Sequence, residues 1–532
     1  MTLDKITKWS SDRGYRFSDQ KTVMVIFRKR STRPIPLPSL HLQNFKIIMI
    51  SCTKFHGLTF DNKTTWTPHI KILRAKCLNA LNILKYLSHP RTGVSRKLLL
   101  QLHNSLIRSQ LDYGAPIYSH SNKSSLKLLN TIQSSGLRLA LGALRTSPTL
   151  SLCAEAGVLP LHYRSLLLTA NFLASTAQYP NLPIFSNALC PQNTPLLSIQ
   201  SHLHKRLKLN PLLPIFPSTP PWLSSPPNIL LDLTKIPKSD NSIYRKHIKE
   251  IISSKFPSHL LCFTDGSKSG PRTGYAFSIQ DTVSSFRMRN SASIFTAELT
   301  AILSCLSHLT CLPPPLKCLI LTDSLSSLLA IQDHESTNPI VQRILILINS
   351  LTSSSSSISF LWIPSHINFE KHDVVDHAAK QSLLLPIITD PSPTPAYDLK
   401  SFYRSLINSS WHDLWSSLPF NKLRTIKKLP IPWSSSNRTS KHEEVILARL
   451  RIGHTRLTHS FLYLGLLAPP PSCAYCNEDD LSVEHFFSCP ALENIRLHHS
   501  VSPTLSISLS NNQETITNTI NYLRSTYFFH HI

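Results

Sequence analysis

The sequence is short of acid. Its 532 residues carry 29 Asp and Glu against 55 Lys and Arg, a formal charge of +26. Charged residues reach only 16%, where about 25% is ordinary. Each carboxylate is therefore more informative than in an acidic chain, and the basic excess points to a polyanionic partner, most simply nucleic acid. Glycine is also scarce, at 12 residues. No apolar run reaches the roughly 18 residues that a membrane helix needs, so no membrane partner is expected. The N-terminal stretch MTLDKITKWSSDRGYRFSDQ lacks an unbroken apolar core. No secretory signal is expected there, and the chain reads as intracellular, in the nucleus, the cytoplasm or both. Eleven cysteines scattered along a chain of this length favour reduced thiols over a disulfide framework.

What is present suffices for several folded domains: 41% of residues are hydrophobic, and domains run at roughly 100–200 residues each. Four segments separate by composition. Residues 1–178 show helical periodicity with Arg108, Arg138 and Arg145 interspersed. Residues 179–256 read as a connector, because 12 prolines fall within 180–237, among them Pro211, Pro214, Pro217, Pro220, Pro221, Pro226 and Pro227. That density forbids long helices and central strands. Residues 257–386 alternate strand and helix patterns. Residues 397–532 are mostly helical, interrupted by a Cys/His cluster.

The third segment carries the chemistry. LLCFTDGS (260–267) reads as a buried strand ending at Asp265, with Gly266 and Ser267 turning the chain. YAFSI and VSSFRMR follow as an antiparallel meander. TAELTAILSCLSHL (296–309) sets Leu299, Ile302, Leu303, Leu306 and Leu309 on one helical stripe, with Glu298 in the first turn. LKCLILTDS is a strand ending at Asp323. ISFLWIPSH is a strand running into a loop with His366, and DVVDHAAKQSLL is a helix carrying Asp376. Open α/β sheets bind ligands at the carboxyl ends of strands, and the two helical acids could close over that end. Four converging carboxylates would repel one another. Divalent cations resolve this, because Mg²⁺ takes carboxylate, water and phosphate oxygens. Two such ions about 3.5–4 Å apart serve phosphodiester hydrolysis.

FTDGS, TAEL, LTDS and WIPSH followed by an aspartate resemble the type 1 ribonuclease H domain, nearest to the version at the C-terminal end of reverse transcriptases from jockey-like non-LTR (LINE-type) retrotransposons. The resemblance implies a mixed five-stranded sheet with helices, flanked here by mostly α-helical segments. It implies Asp265, Glu298, Asp323 and Asp376 as ligands of two Mg²⁺ ions (Mn²⁺ being an alternative), His366 as a mobile histidine aiding product release, and cleavage of the RNA strand of an RNA–DNA hybrid. One departure stands out. The family's glycine-rich turn and Asn-Glu pair after WIPSH are replaced by Ile367, Asn368, Phe369, Glu370, Lys371, His372 and Asp373, and lost glycines could distort that loop. Lys268, Arg272, Arg287 and Arg289 are candidates for hybrid phosphates.

The flanks resemble the same enzymes. GYRFSDQKT looks like the last polymerase palm motif, KFHGLTFD like the primer-grip hairpin, and the helices to residue 178 like a thumb or connection. A Tyr-x-Asp-Asp motif occurs nowhere, so the chain reads as starting after it, with no polymerase activity expected from this chain alone. In the last segment, Cys473-x2-Cys476-x8-His485-x3-Cys489 suits one tetrahedral Zn²⁺, and buried unmetallated thiols are the alternative. RLRIGHTRLTHS just before it resembles the same C-terminus, and Arg449, Arg451 and Arg456 would suit phosphate. Two rivals to an active nuclease stay open: a catalytically inactive nucleic-acid-binding remnant, and a transposase or integrase nuclease of related fold.

Overall fold

Contact density divides the chain into two units, Met1–Thr169 with Ile407–Ile532, and Ala170–Leu406. The computed structural model describes residues 2–18, 20–27, 39–42, 45–183, 213–215, 226–236, 241–393, 395–459 and 471–532. Much of the proline-rich connector, including Pro211, Pro217, Pro220 and Pro221, lies outside the described residues, as do residues 460–467 of the stretch that precedes the Cys/His cluster.

The second unit is built on a six-stranded sheet. Its elements are β1 (Asn228–Leu230), α1 (Asn241–Lys255), β2 (Leu260–Ser269), β3 (Arg272–Ile279), β4 (Thr282–Met288), α2 (Ile294–Leu309), β5 (Lys317–Thr322), α3 (Leu325–Gln332), α4 (Pro339–Ser353), β6 (Ser357–Trp362) and α5 (Glu370–Ser382). Spatial order is β4-β3-β2-β5-β6-β1. The β2–β3–β4 meander is antiparallel and the remaining pairs are parallel. The expected five strands are thus corrected to six. The sixth comes from the connector, immediately after Pro226 and Pro227, and proline tolerates that place because β1 is an edge strand pairing only with β6.

The connector is also more than a linker. Ile229 and Leu231 pack against the core on one sheet face, and Leu233, Tyr244 and Ile248 belong to the core on the other. On the first face α2 buries Leu299, Ile302, Cys305, Leu306 and Leu309 completely, while Leu303 is half-buried at the edge of the stripe. Ser293 caps α2 by accepting from the Thr296 amide at 3.1 Å. On the second face α5 buries Val375 and Ala379.

In the first unit the two helical flanks, separate in sequence, share cores: Leu137, Leu141 and Leu152 pack with Trp411, Trp415, Leu423 and Ile452. KFHGLTFD forms a two-stranded hairpin, Cys52–Phe55 with Leu58–Asp61, turned by His56 and Gly57 at φ 43° and 80°. At the centre of the unit lies Glu155, 1% exposed. Arg96, Lys427 and Arg451 approach its carboxylate to 3.9, 3.7 and 3.7 Å, and Ser436 donates to it at 3.0 Å. Burial pushes this carboxyl up, but the three cations outweigh burial and hold it below its ordinary range. The same burial pushes Lys427 down to about 8. Arg451, fully buried, also donates to Ser435, Ser436, Leu509 and Ser510.

These contacts correct the phosphate assignments. Arg451 is internal, and Arg449 is buried against the carbonyls of Gly142 and Ile532; only Arg456 of the three is exposed. Arg108 is likewise buried, donating to the Leu159 carbonyl and paired with Asp112.

Removing one partner of a buried charge cluster leaves the others uncompensated, a cost of about 3–5 kcal/mol. Glu155→Ala is expected to lower unfolding stability by that order in urea denaturation followed by tryptophan fluorescence.

Candidate active site

Asp265 sits at the point where the sheet changes character. On one side β2 pairs with β3 through Ser269, so Asp265 is mid-strand, opposite Ala276. The expectation that β2 ends at Asp265 is corrected: the antiparallel hairpin carries it on. On the other side the parallel partner β5 stops at Thr322, beside Thr264. The next residue of each strand is an aspartate, Asp265 and Asp323, and beyond them the parallel ladder is open. The backbone carbonyl of Asp323 is fixed by the Trp362 indole N–H at 3.0 Å, so the tryptophan of WIPSH positions the second aspartate.

Glu298 is brought in by a missing side chain. A Cβ on Gly266 would lie 2.7 Å from the Glu298 backbone nitrogen and 3.1 Å from Ala297. Only glycine lets the N-terminal part of α2 approach β2 this closely; the helix starts at Ile294, so Glu298 lies in its second turn and not, as expected, in the first. The Glu298 side chain is buried, its Oε2 without a hydrogen-bond partner among the described residues.

Asp376 is half-buried on α5 and pairs with Lys380 at 2.7 Å, one helical turn on. His366 is exposed, in the loop between β6 and α5. Both His366 and Asn368 hold φ near 55°, the left-handed region that glycine adopts at least cost. Three contacts from α1 hold this loop: Asn241 donates to the His366 carbonyl at 3.2 Å, and Arg245 to those of Ile367 and Asn368 at 3.5 and 3.4 Å.

One member of the site was not expected. Ligand atoms of Asp265, Asp323 and His372 all lie within 4.8 Å of one another. His372 is 5% exposed. The signal available in sequence was its position one turn before Asp376 on the same helix, where i and i+4 share a face.

The electrostatics are those of an unneutralised acid cluster. Burial, then the charges of Asp323 and Asp376, push Asp265 up to about 8. Burial and Asp265 raise Glu298 well above the carboxylate range, and burial raises Asp323. Burial lowers His372, keeping it a neutral imidazole and a competent ligand. A carboxyl raised by burial and by neighbouring acids, beside orphaned buried atoms on Glu298 and His372, fits a divalent cation.

Of the four cations considered for hybrid phosphates, Arg287 is excluded. It is buried, donating to the Leu385 carbonyl and Asn290. Arg289 donates to Pro391 and Ser392 carbonyls at 2.7 and 3.1 Å. Lys268 and Arg272 are exposed at the β2–β3 turn, with contacts to the Ala292 and Leu383 carbonyls.

Residues 257–383 match the RNase H family model. This segment is an RNase H domain. The chain also shows two weak likenesses to Drosophila melanogaster proteins. The chain is 26% identical over 141 residues to the RNA-directed DNA polymerase from mobile element jockey. It is 21% identical over 136 residues to the probable RNA-directed DNA polymerase from transposon BS. Each match covers 26% of this chain and 15% of the relative, so the chain spans a small part of either. These likenesses agree with the C-terminal part of a LINE-type retrotransposon protein. No helix among the described residues is long and apolar enough to cross a membrane.

A second cluster lies in the other unit. Ligand atoms of Cys473, Cys476, His485 and Cys489 fall within 4.8 Å of one another. The Cys473 and Cys489 sulfurs are 3.9 Å apart, far beyond the roughly 2.05 Å of a disulfide. Cys476 Sγ is 3.4 Å from His485 Nε2, and His485 Nδ1 is 3.4 Å from Asp479. A carboxylate behind a histidine is the arrangement that orients metal-binding imidazoles. Backbone N–H groups of Glu478 and Asp479 lower the Cys476 thiol to about 7, within reach of the thiolate a metal requires.

Carboxyls raised in the folded state bind more protons folded than unfolded, so the folded form loses stability as pH rises through the window between the two values. For Asp265 that window runs from 3.8 to about 8. Metal-free protein is expected to melt lower as pH climbs through it. Asp265→Asn should raise the melting temperature near neutral pH, by about 0.5–2 kcal/mol in stability, and flatten the slope.

Proposed function

We propose that the RNase H domain is a divalent-metal-dependent endonuclease that hydrolyses the RNA strand of RNA–DNA hybrids, within a retrotransposon reverse transcriptase whose polymerase motif this chain lacks. The observation that carries the reading is the convergence of Asp265 and Asp323, where the parallel ladder opens, with buried Glu298 beside them. Asp265, Glu298, Asp323 and Asp376 would hold Mg²⁺, with Mn²⁺ an alternative. Ions bound there would activate a water and stabilise the leaving oxygen of the scissile phosphodiester.

The chain's own groups do the rest. Gly266 and Trp362 set Glu298 and Asp323 in place. Lys380 orients Asp376. His366, exposed in the loop before α5, would meet the product phosphate. The exposed Lys268 and Arg272 supply backbone contacts, and A-like hybrid geometry favours reading backbone and 2′-hydroxyls over base edges. In the other unit we assign Zn²⁺ to Cys473, Cys476, His485 and Cys489, as a structural ion tying the Cys473–Cys476 turn to the short helix of His485, beside a core that includes Val483, Phe486 and Phe487.

Loss of a metal-stabilised transition state costs several kcal/mol, a factor of about a thousand or more in rate. With labelled hybrid and Mg²⁺, Asp265→Asn is expected to lose cleavage of the RNA strand by at least that factor while binding hybrid as wild type does. Wild-type protein that binds hybrid but cuts nothing would favour the inactive remnant, and cleavage of duplex DNA would favour the transposase reading. Purified protein should carry one zinc per chain by elemental analysis, lost in Cys473→Ser.

A further inference from the structure

The four-carboxylate reading leaves one side chain of the centre unexplained. His372 is 5% exposed, and its Nε2 has no hydrogen-bond partner among the described residues. A buried nitrogen without a partner is costly. Yet His372 stands with a ligand atom within 4.8 Å of both Asp265 and Asp323, the two acids at the open end of the ladder. Asp376, by contrast, turns a carboxylate oxygen to Lys380 at 2.7 Å. The described site therefore offers two aspartate oxygens and an imidazole at its centre, with a second orphaned atom, Glu298 Oε2, buried beside them.

From this geometry we infer that His372 is a direct metal ligand, making a mixed oxygen–nitrogen site that favours a first-row transition ion such as Mn²⁺ over Mg²⁺. The chemistry follows from ligand type. Mg²⁺ is a hard ion served by oxygen and water. Imidazole suits transition ions and adds little for Mg²⁺. A carboxylate-only site would show no such bias. The inference rests on the metal-dependent reading of the same site and narrows it to the ion that the site selects.

The test uses the full chain and Mn²⁺ as the probe, with no substrate. Bound Mn²⁺ is read by electron paramagnetic resonance, its displacement by Mg²⁺ is titrated, and pulsed measurements detect nitrogen coupled to the ion. Asp265→Asn, which leaves the Cys-Cys-His-Cys cluster intact, supplies the background to subtract. Wild type should show directly bound nitrogen. His372→Asn should lose that signal, and Mg²⁺ should displace its Mn²⁺ about tenfold more readily, the scale of a lost metal-site interaction. Mn²⁺ bound in wild type but not in Asp265→Asn, with no coupled nitrogen, overturns the inference and leaves the carboxylate site standing. Identical Mn²⁺ binding by wild type and Asp265→Asn overturns both. The wild-type nitrogen signal decides the matter even where His372→Asn folds poorly.

Discussion

Two aspartates just past the point where the parallel pairing of β2 with β5 stops, with a buried glutamate beside them, cannot all be ionised without a counter-charge. That repulsion is the constraint on which the second unit turns. The fold forces the acids together by three ordinary devices. Strand β5 stops one residue short, so Asp265 and Asp323 face an open ladder. Gly266 lets α2 come within contact of β2. Trp362 pins the Asp323 backbone. None of these contacts relieves the charge; burial first, then neighbouring acids, raises Asp265 and Glu298, and burial raises Asp323. The core that supports them is large and apolar on both sheet faces, which is what allows a cluster this unfavourable to persist.

The basic excess divides in an unexpected way. A charge of +26 invites the picture of cationic helices on either side of a nuclease, all turned toward phosphate. Several of those cations are structural. Arg96, Lys427 and Arg451 surround Glu155, and Lys441 pairs with Glu444 inside the same unit. Lys441 is pushed down to about 8 by burial. Arg108, Arg287 and Arg449 are buried and each donates to a backbone carbonyl. A guanidinium with five donors and a long apolar stem can tie several chain segments at once, and Arg451 does so with Glu155, Ser435, Ser436, Leu509 and Ser510. Fewer cations are exposed than the net charge suggests; Lys268, Arg272 and Arg456 are among those that are.

What could be read in sequence follows the range over which each signal acts. The strand and helix patterns of 257–386 are local periodicities, and the elements form where those patterns lie. The acids were named from short local motifs, and the places they occupy differ: Asp265 lies within β2, Glu298 in the second turn of α2, Asp323 just past β5 and Asp376 in the middle of α5. The sixth strand was not legible, since three residues after a proline pair carry no period of their own, and β1 exists only because β6 offers an edge. The burial of Arg451 was equally hidden. A helix that alternates Arg with Leu and Ile reads as amphipathic, and only the packing of residues 96–155 against 427–452 reveals that its charged face meets Glu155.

The loop before α5 shows how a departure from a family pattern can be absorbed. Where glycines would be expected, His366 and Asn368 take left-handed backbone angles. Asn is the side chain other than glycine that tolerates this region best, and His is also enriched there, so the strain is moderate at both positions. Three hydrogen bonds from Asn241 and Arg245 of α1 then hold the loop carbonyls in place. Helix α1 belongs to the segment that composition alone assigns to a connector. The substitution at the loop and the ordering of the connector are thus two sides of one arrangement: the backbone freedom that glycine would have supplied is replaced by external hydrogen bonds. The same replacement sets His372 at the start of α5, so the loop that lacks glycine is also the loop that adds an imidazole to the acid cluster.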